Sequence, residues 1–135
     1  MMYSNQLESL RAHYRDAAFL VFRVLIGALF IAHGAQKLFG AFSDKGPMPL
    51  FSLMGAAGII ELVGGLLIAV GLFTSIAAIV SGLEMLVAYF MVHAKMGAWP
   101  ITNQGELAVL FFAAFLCIAF AGGGKYSLDN ALWKK

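Results

Sequence analysis

His33 and Lys37 stand four residues apart near the end of an apolar run, Gly-Ala-Leu-Phe-Ile-Ala-His-Gly-Ala-Gln-Lys-Leu-Phe-Gly at residues 27–40. On a helix this spacing puts both side chains on one face, and Gly34 beside them lets another backbone or a small ligand come close. An imidazole exchanges protons near neutral pH, and an ammonium donates three charge-assisted hydrogen bonds. Carboxylates that could pair with them or carry a proton lie in other apolar stretches: Glu61, Glu84 and Glu106. Arg23 and His93 complete the ionisable groups in or at the edges of the apolar segments.

The setting of these groups comes from composition. The 135 residues are 61% hydrophobic and only 12% charged, with a mean hydropathy of +0.86. That is too apolar for a soluble domain of this size, and the chain reads as an integral membrane protein. Nine Lys and Arg against seven Asp and Glu leave a net charge of +2 without a basic block, so nucleic-acid binding has no electrostatic footprint. The single cysteine, Cys117, excludes an internal disulfide, a Cys-x-x-Cys redox pair and a cysteine-based metal site; in its apolar run it reads as a small buried hydrophobe.

Hydrophobic periodicity and turn residues then predict an all-α fold, an integral membrane up-down four-helix bundle preceded by a short N-terminal interfacial helix. Residues 1–16 form the polar lead, with Leu7, Leu10 and Tyr14 at helical spacing. Residues 17–135 form the transmembrane domain, with spans at about 17–39, 53–73, 75–93 and 105–121, close to the ~20 residues that a ~30 Å hydrocarbon core requires. The fourth span is the shortest, and an earlier start would lengthen it. The first apolar run is too long for a signal-peptide core and is expected to be retained. Pro47, Pro49, Gly97 and Pro100 break the connections after spans one and three. Between spans two and three Gly71 suits a C-cap and Thr74 or Ser75 an N-cap, making a helical hairpin.

Arg11, Arg15, Lys125, Lys134 and Lys135 lie on the side that holds both termini, against Lys45, Lys95 and at most Lys37 on the other. The positive-inside rule therefore predicts a multi-pass membrane protein with both termini cytoplasmic. Trp99 and Tyr126 fall where interfacial aromatics are expected.

A charge at mid-membrane costs about 2.5–3.5 kcal/mol even on the gentler insertion scale, so the buried charges should face inward and pair. Counting ~1.5 Å per residue from the span ends puts His33 and Glu61 at one level, ~9–12 Å below the outer boundary. Lys37, His93 and Glu106 belong to the same half. His93 lies nine residues from Glu84 and on a continuous helix would point nearly opposite to it, so it ranks below His33. Gly55, Gly58, Gly64 and Gly65 around Glu61 allow close helix packing or a cavity beside the carboxylate. Glu61 could pair with Lys37 or His33 to hold the bundle, or line a polar pocket that binds a head group or moves protons. Arg23, alone in the other half, should reach a backbone carbonyl or Asp129. A haem between spans needs two facing histidines at mid-depth, and only His33 lies securely within a span, which disfavours haem. His33, His93 and Glu61 or Glu106 are suitable metal-ligand types without a defining spacing, and no metal site is assigned. There is no nucleotide-binding glycine motif.

The ordered set of Arg23, Gly27-x-x-Phe30-x-x-His33-Gly34-x-x-Lys37, Glu61-x-x-Gly-Gly, Gly71-Leu-Phe-Thr, Asn103-x-Gly-Glu106 and Gly-Lys-Tyr-Ser-Leu-Asp129 resembles the DoxX family of small four-span membrane proteins over residues 17–132. The resemblance implies a prokaryotic inner-membrane protein, similar to the quinone-linked membrane subunit of thiosulfate:quinone oxidoreductase, with soluble redox partner proteins for some members. On that basis a quinone is the expected cofactor. His33 and Glu61 are the candidate catalytic groups, and His33, Lys37, Glu61 and Glu106 the candidate cofactor contacts: Lys37 or His33 hydrogen-bonds a quinone carbonyl and Glu61 exchanges its proton. Two readings stand beside it: a non-catalytic membrane scaffold whose buried charges serve assembly, and a small solute or proton permease. The permease would have to be a homo-oligomer, because four short helices enclose little space.

Overall fold

The computed structural model describes the backbone of residues 2–133 and the side chains of residues 5–133; Lys134 and Lys135, counted above for orientation, lie outside these. Among the described residues five α-helices run in chain order, α1 Met2–Phe39, α2 Leu53–Val70, α3 Thr74–Met91, α4 Glu106–Ala121 and α5 Leu128–Trp133, with a 3-10 turn at His93–Lys95. The four long helices form an antiparallel bundle, α1 packing chiefly on α2 and α3 on α4. α1, α2 and α3 are long and apolar enough to cross a membrane. α4, 16 residues long, begins at Glu106, so the earlier start does not occur: residues 99–104 turn back on themselves through Thr102 and Asn103 N–H bonds to the Trp99 carbonyl.

The polar lead is helical but continuous with the first span instead of a separate element. No glycine or proline interrupts residues 1–26, so nothing in the sequence stops the helix. The apolar surface turns outward: only 22%, 33% and 28% of the apolar windows of α1, α2 and α3 is buried within the chain, and side chains such as Leu29, Leu83, Leu110 and Phe120 are exposed. A bundle with that exterior matches lipid. Cys117 belongs to this exterior, contrary to the buried position expected. It sits between the inward positions Phe115 and Ile118, and a span faces apolar surroundings on both sides.

Two contacts fix the bundle. The first is the glycine seam of α1 and α2. A Cβ on Gly27 would lie 2.7 Å from the Gly65 carbonyl oxygen, and one on Gly34 would lie 2.8 Å from that of Gly58. Gly34 thus admits the backbone of α2, and Gly58, Gly64 and Gly65 are filled by neighbouring side chains or backbone. The second is an aromatic cluster at the centre, where Phe30 of α1 meets Phe115 at 4.7 Å and Phe111 at 5.3 Å between ring centroids. These rings join α1 to α4, which otherwise touch little.

The end that holds the termini is locked by Arg23 and Asp129. Arg23 is 1% exposed, and its guanidinium donates to the carbonyls of Gly123 at 2.6 Å and Tyr126 at 2.8 Å. Gly71 closes α2 in the left-handed region at φ 73°, where a side chain would collide with that guanidinium. The expected N-cap of α3 from Thr74 or Ser75 is replaced from a distance. Asp129 accepts from the Phe73 N–H at 2.7 Å, the Thr74 N–H at 2.9 Å and the Thr74 hydroxyl at 2.6 Å, while its own N–H donates to the Gly71 carbonyl at 2.8 Å. Partial burial works to raise the Asp129 carboxyl; the Thr74 and Phe73 donors and the charge of Arg23 outweigh it and hold the group below its ordinary value.

Two outcomes follow from these contacts. Gly34→Ala should lower the thermal midpoint in detergent, at a cost of about 1–3 kcal/mol typical of overpacking; an unchanged midpoint would refute the seam. Asp129→Ala should destabilise by about 0.5–2 kcal/mol, the usual worth of a cap. Because the folded carboxyl titrates below the free one, its stabilisation is present above the ordinary aspartate value of about 3.9 and is lost as pH falls through the folded value. The wild-type and variant melting curves should therefore converge in acid and stay apart at neutral pH.

Candidate functional site

At the opposite end the chain folds its polar groups around a cavity of about 220 Å³, walled by Phe30, His33, Lys37, Glu61, Met85, Ala88, His93, Gln104, Leu107, Ala108 and Phe111. Three of the four candidate residues, His33, Lys37 and Glu61, line it together. Lys37 and Glu61 form an ion pair in which the Lys37 ammonium donates to Glu61 Oε1. The Glu61 side chain is 1% exposed and that of Lys37 22%, so the ammonium faces the cavity while the carboxylate lies beneath it. Glu61 Oε2 is buried with no hydrogen-bond partner among the described residues.

Each wall is held from behind. Lys37 occupies the last turn of α1, where a cation suits the helix dipole, and its carbonyl accepts the Met48 N–H at 2.7 Å, tying the loop after α1 across the helix end. Ser52 caps α2 through the Gly55 N–H at 3.1 Å and so sets the depth of Glu61. His33 packs edge-on against Phe111, with ring centroids 5.8 Å apart, and lies within electrostatic range of Glu61.

His93 lines the cavity as well, against its lower ranking. α3 ends at Met91 and the chain tightens into the 3-10 turn at His93–Lys95, so the rotation of about 100° per residue that sends it away from Glu84 no longer applies. Its Nδ1 meets the Asn103 carbonyl at 3.1 Å and must be the donor there. Glu106 does not join the site. It is exposed in the first turn of α4, while the inward stripe falls on Leu107, Ala108 and Phe111.

Gln104 reaches the cavity instead of Glu106, from a left-handed backbone at φ 60°. That conformation is set by Asn103, 1% exposed, whose side chain accepts the Gly105 N–H at 2.8 Å and donates to the Gly97 carbonyl at 2.9 Å. Asn103 and Gln104 were missed as site-forming residues. Their signal was an Asn-Gln-Gly turn directly before an apolar helix, where a non-glycine residue can be driven to positive φ.

Glu84 stands behind this cavity, within electrostatic range of Glu61 and Lys37, and its Oε2 is also buried without a partner. It opens on an apolar groove of about 570 Å³ between α2 and α3, which shares Lys37, Ala88 and His93 with the polar cavity. Among the described residues, no group of three His, Cys, Asp or Glu side chains is placed to hold a metal ion.

The fold and the cavity define a small helical membrane protein with an internal ion pair near one end of its bundle. The chain belongs to the DoxX family, whose profile matches residues 18–94, from α1 to the 3-10 turn. It is 40% identical to an uncharacterized protein of Haemophilus influenzae, over 97% of this chain and 99% of the relative. It is 29% identical to "Inner membrane protein YqjF" of Escherichia coli, covering 89% of this chain and 95% of that one. With "Putative oxidoreductase CatD" of Bacillus subtilis it shares 28% identity over 85% and 87%. No solved structure matches the chain.

A double-mutant cycle tests the ion pair. Lys37→Met and Glu61→Leu should each cost about 3–5 kcal/mol, because each strands a buried charge, and the double variant should regain most of the loss. Additive losses in thermal unfolding would show that the two do not act as a pair.

Proposed function

We propose that the protein is a quinone-interacting subunit of a membrane oxidoreductase system. The observation that carries this reading is the Glu61 carboxylate, paired to Lys37 on one oxygen and buried without a partner on the other, at the wall of a cavity with His33, His93 and Gln104. A free buried oxygen costs about 1–3 kcal/mol when unsatisfied, and a hydroxyl donated by a molecule in the cavity would offset that cost.

The charges favour a neutral head group. Lys37 is the one lysine on the cavity wall; it is matched by Glu61, and Glu84 lies within range of both. No surplus positive charge is left for a phosphate or carboxylate, whereas a carbonyl asks only for donors. The volume is below the ~300–1,000 Å³ of a drug-sized pocket and suits a ring head group alone. A bound quinone supplies two-electron, two-proton chemistry. Lys37 has ammonium hydrogens beyond the one given to Glu61 and presents them to a carbonyl oxygen, where negative charge develops. His33 stands beside it as a second donor. Glu61 holds or yields a proton at Oε2.

On this reading electrons reach the site from a soluble redox partner protein, as the family resemblance implies for some members. The inner membrane is the location, as in the name of the Escherichia coli relative. The Lys and Arg count puts both termini in the cytoplasm and the cavity near the outer leaflet.

Protein purified in mild detergent should carry a quinone in stoichiometric amount, found by extraction and mass spectrometry, and His33→Ala or Glu61→Gln should lose it while remaining folded. A Soret band in the visible spectrum would instead indicate haem. An empty, colourless and stable bundle would sink the quinone reading and leave the ion pair to assembly in a partner-binding scaffold.

A further inference from the structure

We infer that the ligand of the cavity is an amphiphile whose hydrocarbon tail lies in the groove between α2 and α3, entering the site sideways from the lipid. The inference rests on the proposed quinone reading and names the part of the molecule that reading leaves out.

Two apolar grooves flank the bundle, and they differ in where they lead. The groove between α1 and α4, about 470 Å³, meets the polar cavity only at Leu107 and Phe111, neither of which carries a charge. The groove between α2 and α3, about 570 Å³, meets it at Lys37, Ala88 and His93. A tail in that second groove therefore continues directly into the donors that would hold a carbonyl head. Ala56, Ala57 and Ala88 leave its wall shallow, while exposed Leu83 and Val87 border it on α3.

The charges along the groove select the head. Glu84 lines its wall, and together with Glu61 it sets two carboxyl groups against the single lysine. A fatty acid or phospholipid would bring a further negative charge to that place, while a ring bearing carbonyl or hydroxyl groups brings none, and in the hydroxyl form it can donate to Glu84 Oε2, which is buried without a partner among the described residues. Size points the same way: a cavity of about 220 Å³ takes a ring, and a long isoprenoid chain has to leave it through one of the two grooves.

The test uses full-length protein in lipid nanodiscs and a benzoquinone carrying a decyl tail with a terminal photoreactive diazirine, the crosslinked residues being located by mass spectrometry. Labelling is expected on α2 and α3, at positions such as Ala57, Val80 and Leu83. It should fall to about one-tenth when a tailless benzoquinone is present at about ten times its Kd, as single-site mass action requires. Ala57→Phe, which fills the groove, should remove the label while tailless quinone still binds; Ala113→Phe in the other groove should leave it unchanged. If Ala57→Phe does not fold, Ala56→Phe takes its place. Competed label on Phe22, Leu29 or Leu110 would overturn the tail placement and leave the quinone reading standing. Label on α2 and α3 that tailless quinone does not displace would mark ordinary lipid contact and overturn the inference. Absence of any competed label, with no binding of tailless quinone, would overturn both.

Discussion

A carboxylate carried into an apolar bundle has to be neutralised by something that reaches it, and in this protein that is Lys37 on Glu61. Everything at the cavity end is arranged so that the pair can form. The glycine seam draws α1 and α2 close enough for a lysine near the end of one helix to meet a glutamate two turns into the other. The loop bond to the Lys37 carbonyl and the Ser52 cap hold both helix ends at matching depth. The attraction between the two charges in a low dielectric is large, but so is the cost of taking both out of water. The pair is therefore weak as a source of stability and strong as a specification of register: slide α1 by one turn, about 5.4 Å, and two unpaired charges face hydrocarbon.

The opposite end solves the same problem with backbone groups. Arg23 is buried as deeply as Glu61, yet its partners are the carbonyls left free where the chain leaves α4, with Asp129 nearby. Asp129 in turn satisfies the N–H groups left over at the start of α3. One arginine and one aspartate thereby close two helix ends and tie the C-terminal helix to the α2–α3 hairpin. The Gly-Lys-Tyr-Ser-Leu-Asp segment thus has a structural part to play without touching the cavity.

Much of this was legible in the sequence because membranes impose simple rules. Apolar length placed the four helices, and charge cost predicted that Arg23, His33, Lys37 and Glu61 would turn inward. Counting residues from span ends put the right groups at one depth, and Gly71 announced its own turn. The failures share a physical origin: each lies where helical periodicity stops. His93 was misjudged because the rotation per residue changes in the 3-10 turn. Glu106 was included because it opens a helix on the correct side, although one position along a helix turns a side chain by about 100°. Gln104 was passed over because positive φ in a non-glycine residue is set by contacts, here those of Asn103, that no local pattern displays. Cys117 was placed inside because an apolar run on a membrane helix does not distinguish core from lipid.

Both ends of the bundle leave a buried polar atom unsatisfied among the described residues, and what sets the Lys37 end apart is that its carboxylates line a cavity and a groove. At the Arg23 end the two terminal nitrogens of the guanidinium are satisfied by backbone carbonyls, and its Nε is buried without a partner among the described residues. At the Lys37 end two carboxylate oxygens, on Glu61 and Glu84, are buried without partners beside a cavity and an open groove. Unsatisfied polar atoms in a membrane interior are costly, and a bundle that needed only to stand could replace either carboxylate by an apolar side chain. Retaining both in one half makes sense if a second molecule completes their hydrogen bonding. On the proposed reading that molecule has a head small enough for the cavity, without a negative charge of its own, and is apolar enough beyond the head to share a groove with lipid.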